Sequence, residues 1–447
     1  MAQSGSRVDI EEFMDRPLGF WRWFVFALCG LAMAIEGYDL AMLATIVPTL
    51  AEGLGVDAST ISVIFVAQGI GLALGYIVVA PQADRIGRKT VIVWSMAGFG
   101  ILTAATAFAN TLGMVAALRF AAFIFFGGIT TNIISLVAEF SPKHLRARQI
   151  ILVNACFALG AAGGTMLAPV LADRFDWTAA FLLGGIVPLA LLPILLVMLP
   201  ESPRFLVTAG RPVEHVQQVL SRIAPIPAEV GSFSAQEDET GRMPFTAIFK
   251  DGRTLMTLLF AVASGMMMFV NNIFASWAPT LWHLQAGFKM EDAAATFAVS
   301  AIGAIVWPFV MIYLIGALGL KRTLVVCYLV GGAAMFVYTV QPFTHALAAF
   351  MALTYGSIVV GAVSGLYALI SSSYPTQIRA TALGFTAGVG RLFAILGPAI
   401  GGYLLAEDAA PVLVAFAFGF PLALAALAVG IGGGLQRCSG LEAVRAK

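Results

Sequence analysis

Two carboxylates stand three residues apart in Glu36-Gly37-Tyr38-Asp39, within an otherwise apolar stretch. In a helix that spacing puts both on one face, and Gly37 lets another helix or a ligand come against the backbone between them. Two like charges buried together rarely both ionise, so one carboxyl is expected to hold a proton near neutral pH, as a proton-coupled carrier requires. Arg119 and Arg391 are the cations in comparable surroundings. Arg391 lies about eleven residues into its apolar run, roughly 16 Å deep at 1.5 Å per residue. A guanidinium stays charged and forks onto carboxylates, so Arg391 is expected either to pair with Glu36 or Asp39 or to receive an anionic substrate. Arg119 is placed about one to two turns below the external surface, where it can snorkel and contribute to substrate binding. An ionisable group at mid-span costs at least about 2.5–3.5 kcal/mol on insertion scales, which makes each of these a functional candidate. A purely structural pairing of the acids with the arginines is the competing reading.

A second charged constellation is Asp84-Arg85-Ile86-Gly87-Arg88-Lys89. Gly87 permits a tight turn and the charges can cap neighbouring helix ends, so Asp84, Arg85, Gly87 and Arg88 are candidates for gating. The mirror loop, Gly316-Ala317-Leu318-Gly319-Leu320-Lys321-Arg322, has no acidic residue, and a second latch there is expected to be weaker or missing. Tyr38, Trp277 and Tyr355 can stack on a ring or sit at interfaces, while Asn271 and Asn272 are amides in an apolar run that must find partners. Tyr38, Asn272, Trp277 and Tyr355 therefore join the substrate-site candidates. Cys29, Cys156, Cys327 and Cys438 lie far apart without metal-ligand spacing and read as small apolar packing residues. His144, His215, His283 and His345 fall in loops or at the ends of runs and are not assigned to a proton path. No nucleophile and base pair suggests an enzyme, and no cofactor is implied.

These residues need a membrane to position them. The 447-residue chain is 60% hydrophobic and 11% charged, with a mean hydropathy of +0.92, where a globular chain is about half apolar and about a quarter charged. A bilayer core of roughly 30 Å takes about 20 apolar residues per helix. The runs are long and continuous, which excludes an outer-membrane barrel. Delimited by charge, Pro and Gly, they give twelve expected spans at 22–48, 59–80, 90–109, 113–138, 149–172, 178–199, 254–284, 292–315, 323–341, 346–371, 380–405 and 411–434. The expected fold is an all-α membrane protein of twelve transmembrane helices, with six-helix halves at 1–199 and 254–447 and a cytoplasmic linker at 200–253.

The net charge of +1 is spread over loops rather than one stripe, so nothing points to nucleic acid. Counting Lys and Arg in the short loops places Arg85, Arg88, Lys89, Arg146, Arg148, Lys321, Arg322 and Arg379 inside, and only Arg174 and Lys289 outside. Both termini and the linker are then cytoplasmic. The segment before Trp21 lacks a cleavable signal pattern, so the first span is expected to serve as the insertion signal. A repeat is also visible: Pro142 to Ala147 and Pro375 to Ala380 share the form P-x-x-(L/I)-R-A at an offset of 233 residues. Gly128 meets Gly361, and Gly164 meets Gly397, at the same offset. Parallel repeats of this kind are how many secondary carriers build two rocking halves.

The stretch from Gly75 to Lys89 closely resembles the loop motif of the major facilitator superfamily, G-x-x-x-D-R-x-G-R-(R/K), departing from it at Val79 and Ala80. That resemblance implies a cytoplasmic latch between the halves built on Asp84 and Arg85. Together with Glu36-Gly37-Tyr38-Asp39, the runs Leu136 to Pro142, Leu199 to Ser202, and Gln377 to Gly384 with Gly390-Arg391 make nearly the whole chain resemble the aromatic acid:proton symporter family. The resemblance implies a hydroxybenzoate-like substrate, protons or site shaping at Glu36 and Asp39, and Arg391 at the substrate carboxylate. It further implies uptake by alternating access in a bacterial inner membrane. The expected partners are a small aromatic carboxylate, the proton and the bilayer, with the monomer as the working unit. Pro200-Glu201-Ser202-Pro203-Arg204 is instead similar to the P-E-S-P-R motif of sugar porters. Sugar sites are lined mainly by Gln, Asn and Trp, whereas a buried acid pair with a midplane Arg suits an anion. A non-transporting membrane sensor would require a large cytoplasmic signalling domain, which the linker does not supply.

Overall fold

The computed structural model describes residues 6–142, 144–223, 225, 230–234, 245–250, 252–340, 342–374, 376–407 and 410–435. Lys143, Pro375 and Cys438 lie outside the described residues. Eleven helices among the described residues are long and apolar enough to cross a membrane. Spans one to seven are Phe20–Leu54, Ala58–Ile86, Arg88–Thr106, Leu112–Phe140, Arg146–Phe175, Trp177–Met198 and Thr254–Leu284. Spans nine to twelve are Leu320–Thr339, His345–Ser373, Thr376–Ala406 and Pro411–Leu435. The 29-residue helix Met290–Leu318 takes the eighth place in the order. Span one, at 35 residues, is longer than its apolar run because helical bonding continues through Pro48 and past Glu52. At 1.5 Å per residue it reaches roughly 52 Å, well beyond a hydrocarbon core. Two spans are locally widened into π-helix, at Gly75–Val79 and Tyr355–Val360. Such bulges re-aim the residues around them and are frequent at functional sites.

The chain divides into two compact units, Met1–Met42 with Ala67–Glu239, and Leu43–Val66 with Thr240–Lys447. The described residues of 200–234 group with the first unit, and Leu43–Val66 groups with the second. In the first unit the core runs along spans one, three, four and six through Phe26, Met33, Met96, Phe99, Phe126 and Leu195. Spans one and five touch backbone to backbone. A Cβ at Gly37 would run into the Phe157 carbonyl, and one at Gly160 into the Ala34 carbonyl. Glycine there is a condition of the crossing.

The described residues of the linker carry structure of their own. Strand β1 (Ser6–Asp9) pairs in parallel with β2 (Val230–Ser234), with Val8 opposite Phe233. Short helices at Ile10–Met14, Pro203–Thr208 and Val213–Leu220 enclose a separate apolar cluster of Ile10, Phe13, Met14, Phe205, Leu206, Val216 and Leu220. A two-stranded ribbon is marginal by itself, so this cluster is what holds it. Arg22, buried at the start of span one, ties the assembly to span four. Its Nη1 donates to the carbonyls of Met14 at 2.8 Å and Phe140 at 3.4 Å, and its Nη2 to those of Arg16 and Pro17, each at 2.5 Å.

In the second unit spans seven and eleven are the most intimate pair, with Gly397 against the backbone of Phe269 and Ile273. Leu43–Val66 belongs here because Thr280 donates to the Ala44 carbonyl at 3.1 Å and Phe65 lies 5.7 Å from Trp277 between ring centres.

Candidate functional site

Span one brings Asp39 to Arg119 of span four, eighty positions away in sequence, and both side chains are fully buried. Nη1 of Arg119 donates to Asp39 Oδ1 at 3.0 Å and to Thr103 Oγ1 at 3.2 Å, while Nη2 pairs with Asp39 Oδ2. With its amide oriented by the hydrogen-bond network, the Gln68 oxygen accepts from Nε at 2.9 Å and Nη2 at 2.8 Å. The rings of Phe123 and Phe181 stand 4.9 and 5.3 Å from the guanidinium carbon. A guanidinium has five N–H groups, and all five are met. The expected snorkelling Arg119 is thus corrected: a carboxylate at matching depth replaces water as its partner. Arg391 is likewise not the cation that Asp39 takes.

Glu36, one turn before Asp39, is equally buried but differently served. Its Oε2 accepts from the Thr130 hydroxyl at 3.0 Å, and its Oε1 has no hydrogen-bond partner among the described residues. Gly37 lets span five, rather than a ligand, close on the backbone between the two acids. Tyr38 reaches span six, where Asp39 also comes close to Gly184. Its hydroxyl donates to the Ala180 carbonyl at 3.2 Å, and its ring walls an apolar cavity of about 520 Å³ lined also by Ala34, Gly160, Met166, Leu183 and Gly184. Such a wall can take an apolar body but offers no charge to a carboxylate.

The second unit places the other candidates. Arg391 is exposed on span eleven, beside Gly390, which packs against Ser264 and Met268. Asn272 is turned back on its own helix, donating to the Met268 carbonyl at 2.9 Å. Trp277 is fully buried, its Nε1 donating to the Pro398 carbonyl at 2.9 Å, so in this structure it joins spans seven and eleven. Tyr355, at the start of the π segment, stacks on Phe274 at 4.6 Å, and its hydroxyl donates to Asn271 Oδ1 at 3.1 Å.

The gating candidates form a knot inside the first unit. Arg88 Nε lies 2.8 Å from Glu139 Oε1 at the end of span four, and Nη1 lies 3.1 Å from Asp84 Oδ1. Gly87 has φ +101°, and a Cβ there would strike the Glu201 carboxylate. Glu201 Oε1 in turn accepts from the backbone N–H of Lys89 at 3.1 Å and of Ser202 at 2.9 Å. Spans three, four and six are thereby fastened at one end. Asp84 and Arg85 remain exposed. In the mirror loop Gly319 repeats the turn with φ +78°.

Nothing in the residue pattern marks Gln68, Thr103 or Thr130, or pairs Asn271 with Tyr355, and Glu139 and Glu201 stand in the sequence only as members of longer motifs. The acidic pair could have been found from the need of each nearby cation for an anion. The uncharged partners carry no such signal.

The profile of the Major Facilitator Superfamily matches residues 29–398. The chain is 32% identical over 405 residues to the 4-hydroxybenzoate transporter PcaK of Pseudomonas putida, covering 90% of each chain. It is 30% identical over 401 residues to the gallate transporter of Pseudomonas putida, covering 89% of each. Among solved structures it is similar to a crystal structure of a D-xylose-proton symporter, with a TM-score of 0.68 and 17% identity over 93% of this chain and 97% of that one, a likeness that shows the fold. The chain therefore belongs to the Major Facilitator Superfamily, in the family that includes the 4-hydroxybenzoate and gallate transporters.

Proposed function

We propose that the protein imports a hydroxybenzoate-like aromatic carboxylate together with a proton, by alternating access, as a monomer in the bacterial inner membrane with both termini cytoplasmic. One observation carries the reading: span one buries two carboxyl groups, and among the described residues a cation is bound to only one of them. A transporter that must take up and release a proton needs such an unequal pair.

Glu36 and Asp39 are the proton-coupling residues, and Arg391 receives the substrate carboxylate. Tyr38, Asn272, Trp277 and Tyr355 shape the aromatic surroundings, and Arg119 fixes the charge of Asp39 rather than meeting the substrate directly. Asp84, Arg85, Gly87 and Arg88 set the gate at the cytoplasmic side. Proton and substrate drive transport when both bias the same conformational equilibrium, so neither accumulates without the other. The relatives named for 4-hydroxybenzoate and gallate favour an aromatic acid over a sugar.

Proteoliposomes with an imposed inward proton gradient test the reading. Labelled 4-hydroxybenzoate or protocatechuate should accumulate, and a protonophore should abolish the accumulation. Uptake of glucose in their place would move the protein to sugar transport.

A further inference from the structure

We infer that the transported proton is carried by Glu36, with Thr130 as its positioning hydroxyl, while Asp39 is the permanent counter-ion of Arg119, held in place by Gln68 and Thr103. The inference rests on the proton-coupled reading above and assigns its two acids different tasks.

The division follows from counting donors and acceptors. Around Arg119 every N–H is spoken for: two by Asp39, two by Gln68 and one by Thr103. The two aromatic faces beside the guanidinium leave water little room. Protonating Asp39 would turn a bidentate ion pair into a buried cation facing a neutral acid, and no other carboxylate pairs with Arg119 among the described residues. Asp39 is therefore kept as the charge partner of Arg119.

Glu36 stands in the opposite situation. Span four faces it with the Thr130 hydroxyl. Span five lays the Phe157 to Ala161 backbone against the neighbouring Gly37. On its own helix the nearest charge is Asp39, already committed to Arg119. No ion pair reaches Glu36 among the described residues. An ionised carboxylate with one donor and one bare oxygen is poorly housed there, and a neutral acid is well housed.

Thr130 can serve both forms. Its Oγ1 lies 3.0 Å from Glu36 Oε2 and 3.5 Å from the Phe126 carbonyl one turn back. With Glu36 protonated on Oε2, the acid donates to Oγ1 and the hydroxyl donates to Phe126. With Glu36 ionised, the hydroxyl turns and donates to Oε2. Rotation about one side-chain bond thus follows the proton. Glu36 takes one proton from water on one side of the membrane and returns it to water on the other, and no other bond is made or broken.

Infrared spectroscopy on the purified full-length protein at neutral pH reads the site directly. The expected result is a carboxylic-acid C=O band in the wild type that is lost in Glu36→Gln and kept in Asp39→Asn. The band should move to higher frequency in Thr130→Val and return in Thr130→Ser. If Asp39→Asn does not fold, the Asp39→Asn, Arg119→Gln pair replaces it. Survival of the band in Glu36→Gln, or its loss when Asp39 is replaced, overturns the assignment. In proteoliposomes, Glu36→Gln should lose gradient-driven accumulation, and its remaining substrate exchange should no longer respond to pH; wild-type accumulation by this variant overturns it as well. A wild type that carries the Glu36 band but moves no aromatic acid would instead remove the proposed substrate and leave the proton site standing.

Discussion

Among the described residues both units bury rings, and the first buries charge as well. Glu36, Asp39 and Arg119 are fully buried in the first, whereas the second buries Phe274, Trp277, Trp282 and Tyr355, of which Trp277 donates to a carbonyl and Tyr355 to an amide oxygen. The packing beneath these residues is nonetheless repeated. Gly164 lies on the backbone of Tyr38, and Gly397, its counterpart at the 233-residue offset, lies on the backbone of Phe269 and Ile273. A duplicated scaffold has kept its helix crossings and diverged in what it points inward. The two chemistries also differ in how much they tolerate. A buried ion pair fails badly when one member is removed, because the other is stranded. An aromatic cluster that loses one hydrogen bond keeps nearly all of its burial.

The largest effect expected is that of Asp39→Asn. Arg119 keeps Gln68 and Thr103 but loses its charge partner, a change of about 3–5 kcal/mol for a broken buried pair. Folded yield and the midpoint of thermal unfolding should fall together, and accumulation should vanish. A variant as stable as the wild type would show that Arg119 does not depend on Asp39, and the contrast between the two units would weaken.

Arg391→Ala probes the other unit. An exposed cation contributes little to folding, so stability should hold, while affinity for the aromatic carboxylate should fall by the about 1.5–3 kcal/mol of a hydrogen bond to a charged group. That is about tenfold or more in the dissociation constant. Equal affinity by equilibrium binding would refute the carboxylate contact.

Gly164→Leu and Gly397→Leu ask whether the scaffold is truly shared. Each side chain would enter backbone of the neighbouring span, and overpacking typically costs about 1–3 kcal/mol. The two unfolding shifts should be alike. A tolerated Gly397→Leu beside a damaging Gly164→Leu would show that the close crossing is needed only where charge is buried.

Much of this was legible in the sequence because hydropathy is a local property. The hydropathy places span seven at 254–284 and it is Thr254–Leu284, and the other spans agree to within a few residues apart from spans one and two, which each run six residues further, to Leu54 and Ile86. The span-one acids and the two arginines stood out because charge in an apolar run is conspicuous. Their pairing did not follow, since it depends on the rotation and depth of two helices whose residues lie eighty positions apart. The π segments at Gly75–Val79 in span two and Tyr355–Val360 in span ten re-aim residues of their own helices, likewise without any mark in the hydropathy. Glu201 and the linker were hidden for another reason. Val216 and Leu220 lie on one helical face among polar residues, so an average over the segment reads as tether although the face is buried.

The smallest effect expected separates the two rings proposed for the aromatic surroundings. Trp277→Phe removes the hydrogen bond to the Pro398 carbonyl and leaves that acceptor bare between spans seven and eleven, a cost of about 1–3 kcal/mol. Tyr355→Phe keeps the stack on Phe274 and removes only the bond to Asn271, whose amide oxygen can turn to another donor, so about 0.5–1.5 kcal/mol is at stake. Thermal unfolding should therefore shift more for Trp277→Phe, while any change in the affinity for 4-hydroxybenzoate should be greater for Tyr355→Phe, because Tyr355 starts a π segment, a feature frequent at functional sites, and Trp277 serves as a joint between spans seven and eleven. The reverse order in both measurements would exchange their roles and make the tryptophan the ring that meets the substrate.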